Sequence, residues 1–159
     1  MTEGLDLRRF RPEDRPAVID LQQIALRDAG AFAGRGAWDA DLGEIEEVYL
    51  KGGEFVVGFV DERLVAMGAL KRLAPGQAEI KRMQVDPDYQ RRGFGKAVLD
   101  YLEAAAAGLG ISTLVLDTTA VQVAALAFYG KNGYRETGRR LHSQFELVFF
   151  AKQLGSTSA

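Results

Sequence analysis

The sequence predicts a mixed α/β fold in a single domain, and three observations carry that expectation. Apolar runs of strand-like texture, E-F-V-V-G-F-V and L-V-A-M-G-A-L, share the chain with helix-spaced apolar positions such as Val98, Leu102, Ala105 and Leu109. Turn signals, among them Pro75-Gly76 and Asn132-Gly133, separate these segments. Finally, 159 residues with 47% apolar and 26% charged content are ordinary globular material. That is enough for one core and too little for two large ones.

The elements follow in order. Leu5, Leu7 and Phe10 nearly alternate with polar residues and predict a strand at 5–10. R-P-E-D-R-P then starts a helix: Pro12 and Pro16 suit a first turn, and Glu13 and Asp14 complement its positive end. Val18, Leu21 and Ala25 form its apolar face. Residues 28–37, with Gly30, Gly34 and Gly36, read as a turned or mobile connection. Leu42, Ile45, Val48 and Tyr49 predict a second amphipathic helix. The two apolar runs, joined at D-E-R, form a strand pair, and A-E-I-K-R-M-Q-V is a third strand. Asp86-Pro87-Asp88 breaks that strand and leads into Q-R-R-G-F-G. A helix from Lys96 to Leu109 is stopped by Gly108 and Gly110. S-T-L-V-L-D is an apolar central strand, Val121 to Lys131 a further helix, and the segment ending Q-F-E-L-V-F-F-A-K-Q-L supplies one or two strands. The domain is expected to span 1–154, with 155–159 a disordered tail.

Composition excludes several function classes. Lys plus Arg number 20 against 22 Asp plus Glu, a net charge of −2. That removes the electrostatic attraction on which nucleic-acid binders rely. No apolar run approaches the ~20 residues of a membrane span, and the first twenty residues hold no apolar signal-peptide core. The chain has no cysteine, and His142 is its one histidine. Disulfides, a cysteine nucleophile and thiolate or multi-histidine metal sites are therefore excluded. A cytoplasmic, soluble, metal-free protein without nucleic-acid or membrane partners is expected.

The segment richest in chemistry is Gln90-Arg91-Arg92-Gly93-Phe94-Gly95, between a strand and a helix. Glycines let the backbone approach a ligand, and a helix N-terminus presents unpaired N–H groups at a positive dipole end. A phosphate or pyrophosphate suits it. Two common nucleotide loops fail here: Gln90 stands where a Walker A loop needs its first glycine, and Val98 where a dinucleotide fingerprint needs Gly or Ala. Alone, the hexapeptide reads equally well as a glycine-rich turn.

Its surroundings decide between these. M-Q-V-D-P-D-Y-Q-R-R-G-F-G-K-A-V-L, followed about thirty residues later by Q-V-A-A-L-A-F-Y-G-K-N-G-Y, resembles the GNAT superfamily of acyl-CoA-dependent N-acetyltransferases. Both motifs stand in that superfamily's order and spacing, and the likeness covers roughly residues 4–154. The resemblance implies a twisted, mostly antiparallel sheet of six to seven strands flanked by about four helices. It implies acetyl-CoA as donor, no metal, and a primary amine as acceptor. With no polybasic stretch or appended domain, a small-molecule amine is favoured over a protein. One departure stands out: Gln122 replaces the superfamily's usual asparagine.

The resemblance also implies residue roles. The backbone of Met83, Gln84 and Val85 pairs with the pantetheine arm. The N–H groups from Arg91 through Gly93, Phe94, Gly95 and Lys96 hold the pyrophosphate, with the side chains of Gln90, Arg91 and Arg92 supporting or facing solvent. Glu79 occupies the place of a catalytic glutamate in some members. An alkyl amine of pKa near 10.4 needs such a base, because deprotonating it at pH 7 costs roughly 4.6 kcal/mol. The alternative for Glu79 is an exposed carboxylate paired with Lys81. Tyr129 occupies the position of the acid that protonates the departing thiolate, the alternative being a packed helix residue. Without cysteine, direct attack in a ternary complex is implied. Phe32, Arg35, Trp38, Thr118 and the region from Arg139 to Ser143 would wall the acceptor site. His142 reads as a surface residue. Rival readings are a non-catalytic acyl-CoA sensor, a protein or peptide acetyltransferase, and a generic phosphate-binding domain. A homodimer is a base-rate expectation.

Overall fold

The computed structural model describes residues 4–28 and 37–155; the side chains of residues 25, 26 and 37–39 lie outside that description. Its strands are β1 (Leu5–Arg9), β2 (Glu54–Val60), β3 (Arg63–Ala74), β4 (Gln77–Val85), β5 (Thr113–Thr119), β6 (Arg135–His142) and β7 (Phe145–Gln153). Its helices are α1 (Arg15–Asp28), α2 (Ile45–Val48), α3 (Phe94–Gly108) and α4 (Val123–Lys131). The strands form one sheet in the order β1-β2-β3-β4-β5-β7-β6. Every neighbouring pair is antiparallel except β4 and β5.

Alternation along the strands feeds two cores, one on each face. On one face Val56, Leu70, Ile80, Leu114, Leu116, Val148 and Phe150 pack with Val98, Leu99 and Leu102 of α3 and Tyr129 of α4. On the other, Phe55, Val57, Met67 and Ala69 pack with Val18 and Leu21 of α1 and with Leu42, Ile45 and Tyr49. Each core closes over strands that local sequence makes apolar on both sides.

Three expectations are corrected. The second helix is a 3-10 turn over Ala37–Glu44 followed by the single turn of α2. Its apolar positions are nonetheless right, since Leu42, Ile45 and Tyr49 are fully buried. Gly43 and the aspartates at 39 and 41 favour turn over helix. The buried face of α3 is Phe94, Val98, Leu99, Leu102 and Ala106, while Leu109 lies at its C-cap, 40% exposed. The chain turns at Gly110 (φ +78°) and buries Ile111 instead, whose N–H bonds back to the Ala106 carbonyl. The run Lys81-Arg82, which in sequence reads most simply as solvated charge, is half-buried at both residues, and Arg82 pairs with Asp41. The expected strand at 5–10 ends at Arg9, and α4 begins two residues later than expected, at Val123. Residues 156–159 of the expected tail lie outside the described residues.

Two irregularities in β4 position the site. Met67 faces Gln84 and Ala69 faces Lys81, so two steps along β3 span three along β4. The extra residue is Arg82, held in the left-handed region at φ +58°. Meanwhile β4 and β5 share only three rungs, Gln77–Thr113, Ala78–Leu114 and Glu79–Val115. Beyond them the two strands part.

Candidate active site

Glu79 sits on the last rung before that parting, with Lys71 of β3 on one side and Val115 of β5 on the other. Because Ala78 and Ile80 feed the α3 core, alternation turns Glu79 to the α1 face. It is half-buried and makes no ion pair or hydrogen bond with any described residue, Lys81 included. Burial pushes its carboxyl above the usual range, Asp117 adds to that, and Lys81 and Lys71 pull it partly back.

Past Glu79, β4 presents a backbone edge with no β5 partner, along which lie Met83, Gln84 and Val85. Met83 and Val85 pack against the α3 core, so their side chains are structural while their backbone borders the gap. Opposite, β5 ends in Thr118 and Thr119. Thr118 faces Val148 of the α3 core, and the buried Oγ1 of Thr119 has no hydrogen-bond partner. An orphaned hydroxyl beside a gap is a place for a ligand group.

The loop after β4 is tightly held. Asp86 is buried, accepts the N–H of Asp88 at 2.9 Å and pairs with Arg63 at 2.8 Å. The Arg63 and Arg92 guanidinium groups lie over the Tyr89 ring, at 5.4 and 4.9 Å. Gln90 donates to the Val85 carbonyl at 3.3 Å, and Arg92 to that of Asp88 at 3.3 Å. These two side chains brace the loop. Arg91 and Gly93 both adopt the left-handed region, at φ +65° and +83°. The backbone N–H groups of residues 91–96 find no acceptor among the described residues. They lie at the start of α3, where the positive end of a helix can hold an anion. Phe94 contributes only its backbone, for its side chain is 2% exposed in the core. Lys96 is engaged by Asp100 at 3.1 Å. A Cβ on Gly95 would meet nothing closer than Phe128 at 3.6 Å, so the fold itself could hold alanine there.

Tyr129 comes from α4, on the face opposite Glu79. Its ring is enclosed by Phe128, Tyr134 and Phe150, with centroids 5.2–6.1 Å away. Burial pushes its hydroxyl well above the ordinary tyrosine range, and that hydroxyl has no hydrogen-bond partner among the described residues. It holds its proton at every working pH. Gln122 is the N-cap residue of α4, without a side-chain capping bond.

Of the expected acceptor wall, Phe32 and Arg35 lie outside the described residues, and of Trp38 only its place in the 3-10 turn is described. Arg139 of the exposed β6 pairs with Glu136 on the same strand and with Glu146 of β7, and His142 is exposed at the end of β6. Sequence reasoning missed Lys71, Asp117 and the Asp41–Arg82 pair. Each meets the site through strand register or tertiary packing, for which no local signal exists.

The stretch that holds the bulged β4, its parting from β5 and the following helix start is also the stretch that a family model matches. Residues 18–134 fit the acetyltransferase (GNAT) family. The chain belongs to the GNAT family. Among curated relatives, the ribosomal protein bS18-alanine N-acetyltransferase of Escherichia coli is 36% identical over 72 residues, 45% of this chain and 49% of that protein. The N-acetylaspartate synthetase of Xenopus tropicalis is 31% identical over 121 residues, 69% of this chain and 45% of that protein. This GNAT chain thus spans about half the length of the curated relatives it matches. In structure it resembles the paia N-acetyltransferase of Thermoplasma acidophilum, solved with coenzyme A, with a TM-score of 0.75 and 19% identity over 94% of this chain and 98% of that one. That likeness shows the fold.

Proposed function

We propose that this GNAT protein transfers an acetyl group from acetyl-CoA to a primary amine on a small molecule, within the cytoplasm. The observation that carries the reading is the pairing of a β4 edge without a β5 partner with six consecutive N–H groups that lack an acceptor. An extended donor with a diphosphate at one end and amides along its arm satisfies both. The diphosphate would take the N–H groups of residues 91–96, and the arm would pair with Met83, Gln84 and Val85.

In the chemical step the amine nitrogen attacks the thioester carbonyl. A C–N bond forms, the C–S bond breaks, and the thiolate departs. Glu79, directly or through water, takes the ammonium proton, and its raised pKa suits that task. Tyr129 gives its proton to the departing sulfur. The two residues approach from opposite faces of the sheet, so they act on one substrate only where the strands part. Without cysteine no acetylated thiol intermediate forms on the protein.

A second reading has a specific observation behind it: the E. coli relative acts on the alanine of a ribosomal protein, which makes a peptide N-terminus the alternative acceptor. Free-thiol release from acetyl-CoA against amino acids, polyamines, aminoglycosides and short peptides separates the two. Tyr129→Phe is expected to lower kcat about 10²-fold or more while acetyl-CoA affinity holds. A small, equal fall in both would remove the acid role. Acetyl-CoA binding without turnover on any amine would favour a sensor, and neither binding nor turnover would end the proposal.

A further inference from the structure

Four charges surround the point where β4 and β5 part. Lys71 is the β3 partner of Glu79, and Lys81 follows Glu79 by two residues, so both share the α1 face with it. Asp117 shares that face as well, two residues beyond Val115, the β5 partner of Glu79. Lys71, Glu79 and Lys81 are half-buried and Asp117 is exposed. None of the four enters an ion pair or side-chain hydrogen bond among the described residues. Close by, Asp41 is hydrogen-bonded by Arg82 and the Tyr49 hydroxyl, and it feels the charge of Lys81 without closing an ion pair with it.

Two half-buried lysines beside one carboxylate, neither closing an ion pair with it, set more positive charge here than Glu79 alone balances. These lysines also lower the basicity of the carboxylate they flank. Their position therefore calls for a use other than tuning the base. In the register Lys71 and Lys81 are diagonal neighbours, roughly 7–8 Å apart at the backbone, and side chains of that length can converge on one carboxylate.

We infer that the acceptor is a small zwitterion: an amine with a carboxylate a few bonds from its nitrogen, the carboxylate held by Lys71 and Lys81 and the nitrogen presented to Glu79 beside Asp117. This rests on the proposed transfer reaction and names its substrate class. An acceptor cationic throughout, such as a polyamine, meets two ammonium groups at this point and is repelled.

The test uses matched pairs. Glycine, β-alanine and aspartate are each compared with their carboxamides, and putrescine serves as the purely cationic amine. Rates of thiol release from acetyl-CoA are expressed per free amine, since a carboxamide lowers the amine pKa. At least one acid is expected to exceed its amide tenfold or more in kcat/KM, with putrescine the poorest acceptor. Lys71→Gln and Lys81→Gln should each bring the acid-to-amide ratio towards one, and Lys71→Glu should turn the preference towards putrescine. Amides that equal their acids, or a ratio that survives both glutamine substitutions, overturn the inference. Thermal unfolding with saturating coenzyme A reads the same site without turnover: an acid that raises the midpoint where its amide does not supports it. Equal shifts, or none from any acid, overturn it. Acid-specific stabilisation with no turnover on any amine would strike the transfer reading and leave the zwitterion site standing.

Discussion

At Glu79, burial and neighbouring charge pull in opposite directions, and burial prevails. The raised carboxyl has a consequence for rate and another for stability. In the proposed role of base it accepts a proton only when ionised, so kcat/KM is expected to climb as pH rises through a value above the ordinary carboxylate range. Glu79→Gln should abolish that ascending limb in a pH–rate profile. A carboxyl whose folded pKa is raised binds its proton more tightly folded than unfolded. Stability is therefore lost as pH rises through the folded value. At neutral pH Glu79→Gln should raise the thermal midpoint while lowering activity; a falling midpoint would show that the carboxylate is structural. Glu79 and Tyr129 could be proposed from sequence because the family motifs fix positions along the chain. Lys71 could not, since what places it beside Glu79 is strand register, a relation between residues on separate strands.

At the scale of elements, the turn into α3 separates two glycines with different jobs. Gly93 adopts φ +83°, where a Cβ costs about 1–2 kcal/mol. Gly95 has ordinary room for a Cβ and no positive φ. Gly93→Ala should therefore lower stability by about that amount. Gly95→Ala should leave stability unchanged or raise it by up to about 1 kcal/mol, yet weaken acetyl-CoA binding. Denaturant unfolding and titration calorimetry check the pair; equal behaviour of the two variants would refute the division. The hairpin of β2 and β3, the strand β4 and the helices α3 and α4 were readable from period and punctuation. The segment after residue 36 was misread because its apolar spacing, Leu42, Ile45 and Tyr49, fits a short 3-10 and α composite as well as one helix. The β4 bulge was invisible, because an arginine gives no warning of a left-handed backbone.

Across the whole molecule, two carboxylates tie separate parts of the chain together. Burial alone would raise Asp14, but Arg8 grips both of its oxygens at 2.8 and 2.9 Å and the Arg11 N–H donates at 2.8 Å. Its pKa is lowered on balance. Asp41 is likewise lowered, since its burial is outweighed by Arg82 and Tyr49. Each contributes stability that is fully present above its unfolded pKa of about 4 and is lost as pH falls through the folded value. The thermal midpoint should thus drop on acidification below about pH 4, and Asp41→Asn should flatten part of that slope. A mostly antiparallel sheet of six to seven strands was expected from the family resemblance, whereas nothing local in the chain announces the strand order or that β7 inserts between β5 and β6.

The three rungs joining β4 to β5 make the sheet two panels, β1 to β4 and β5 with β7 and β6, that meet at a short hinge. An arm bound along β4 as proposed would wedge between the panels and give that strand the neighbour it lacks. On the proposed placement the donor would become a part of the architecture, tying the two panels together beyond the three rungs. Hydrogen exchange would read this directly. Amides at 81–85 should exchange as at an outer edge until acetyl-CoA is added, then slow together with those at 91–96. The hinge rungs at 77–79 and 113–115 should stay protected throughout.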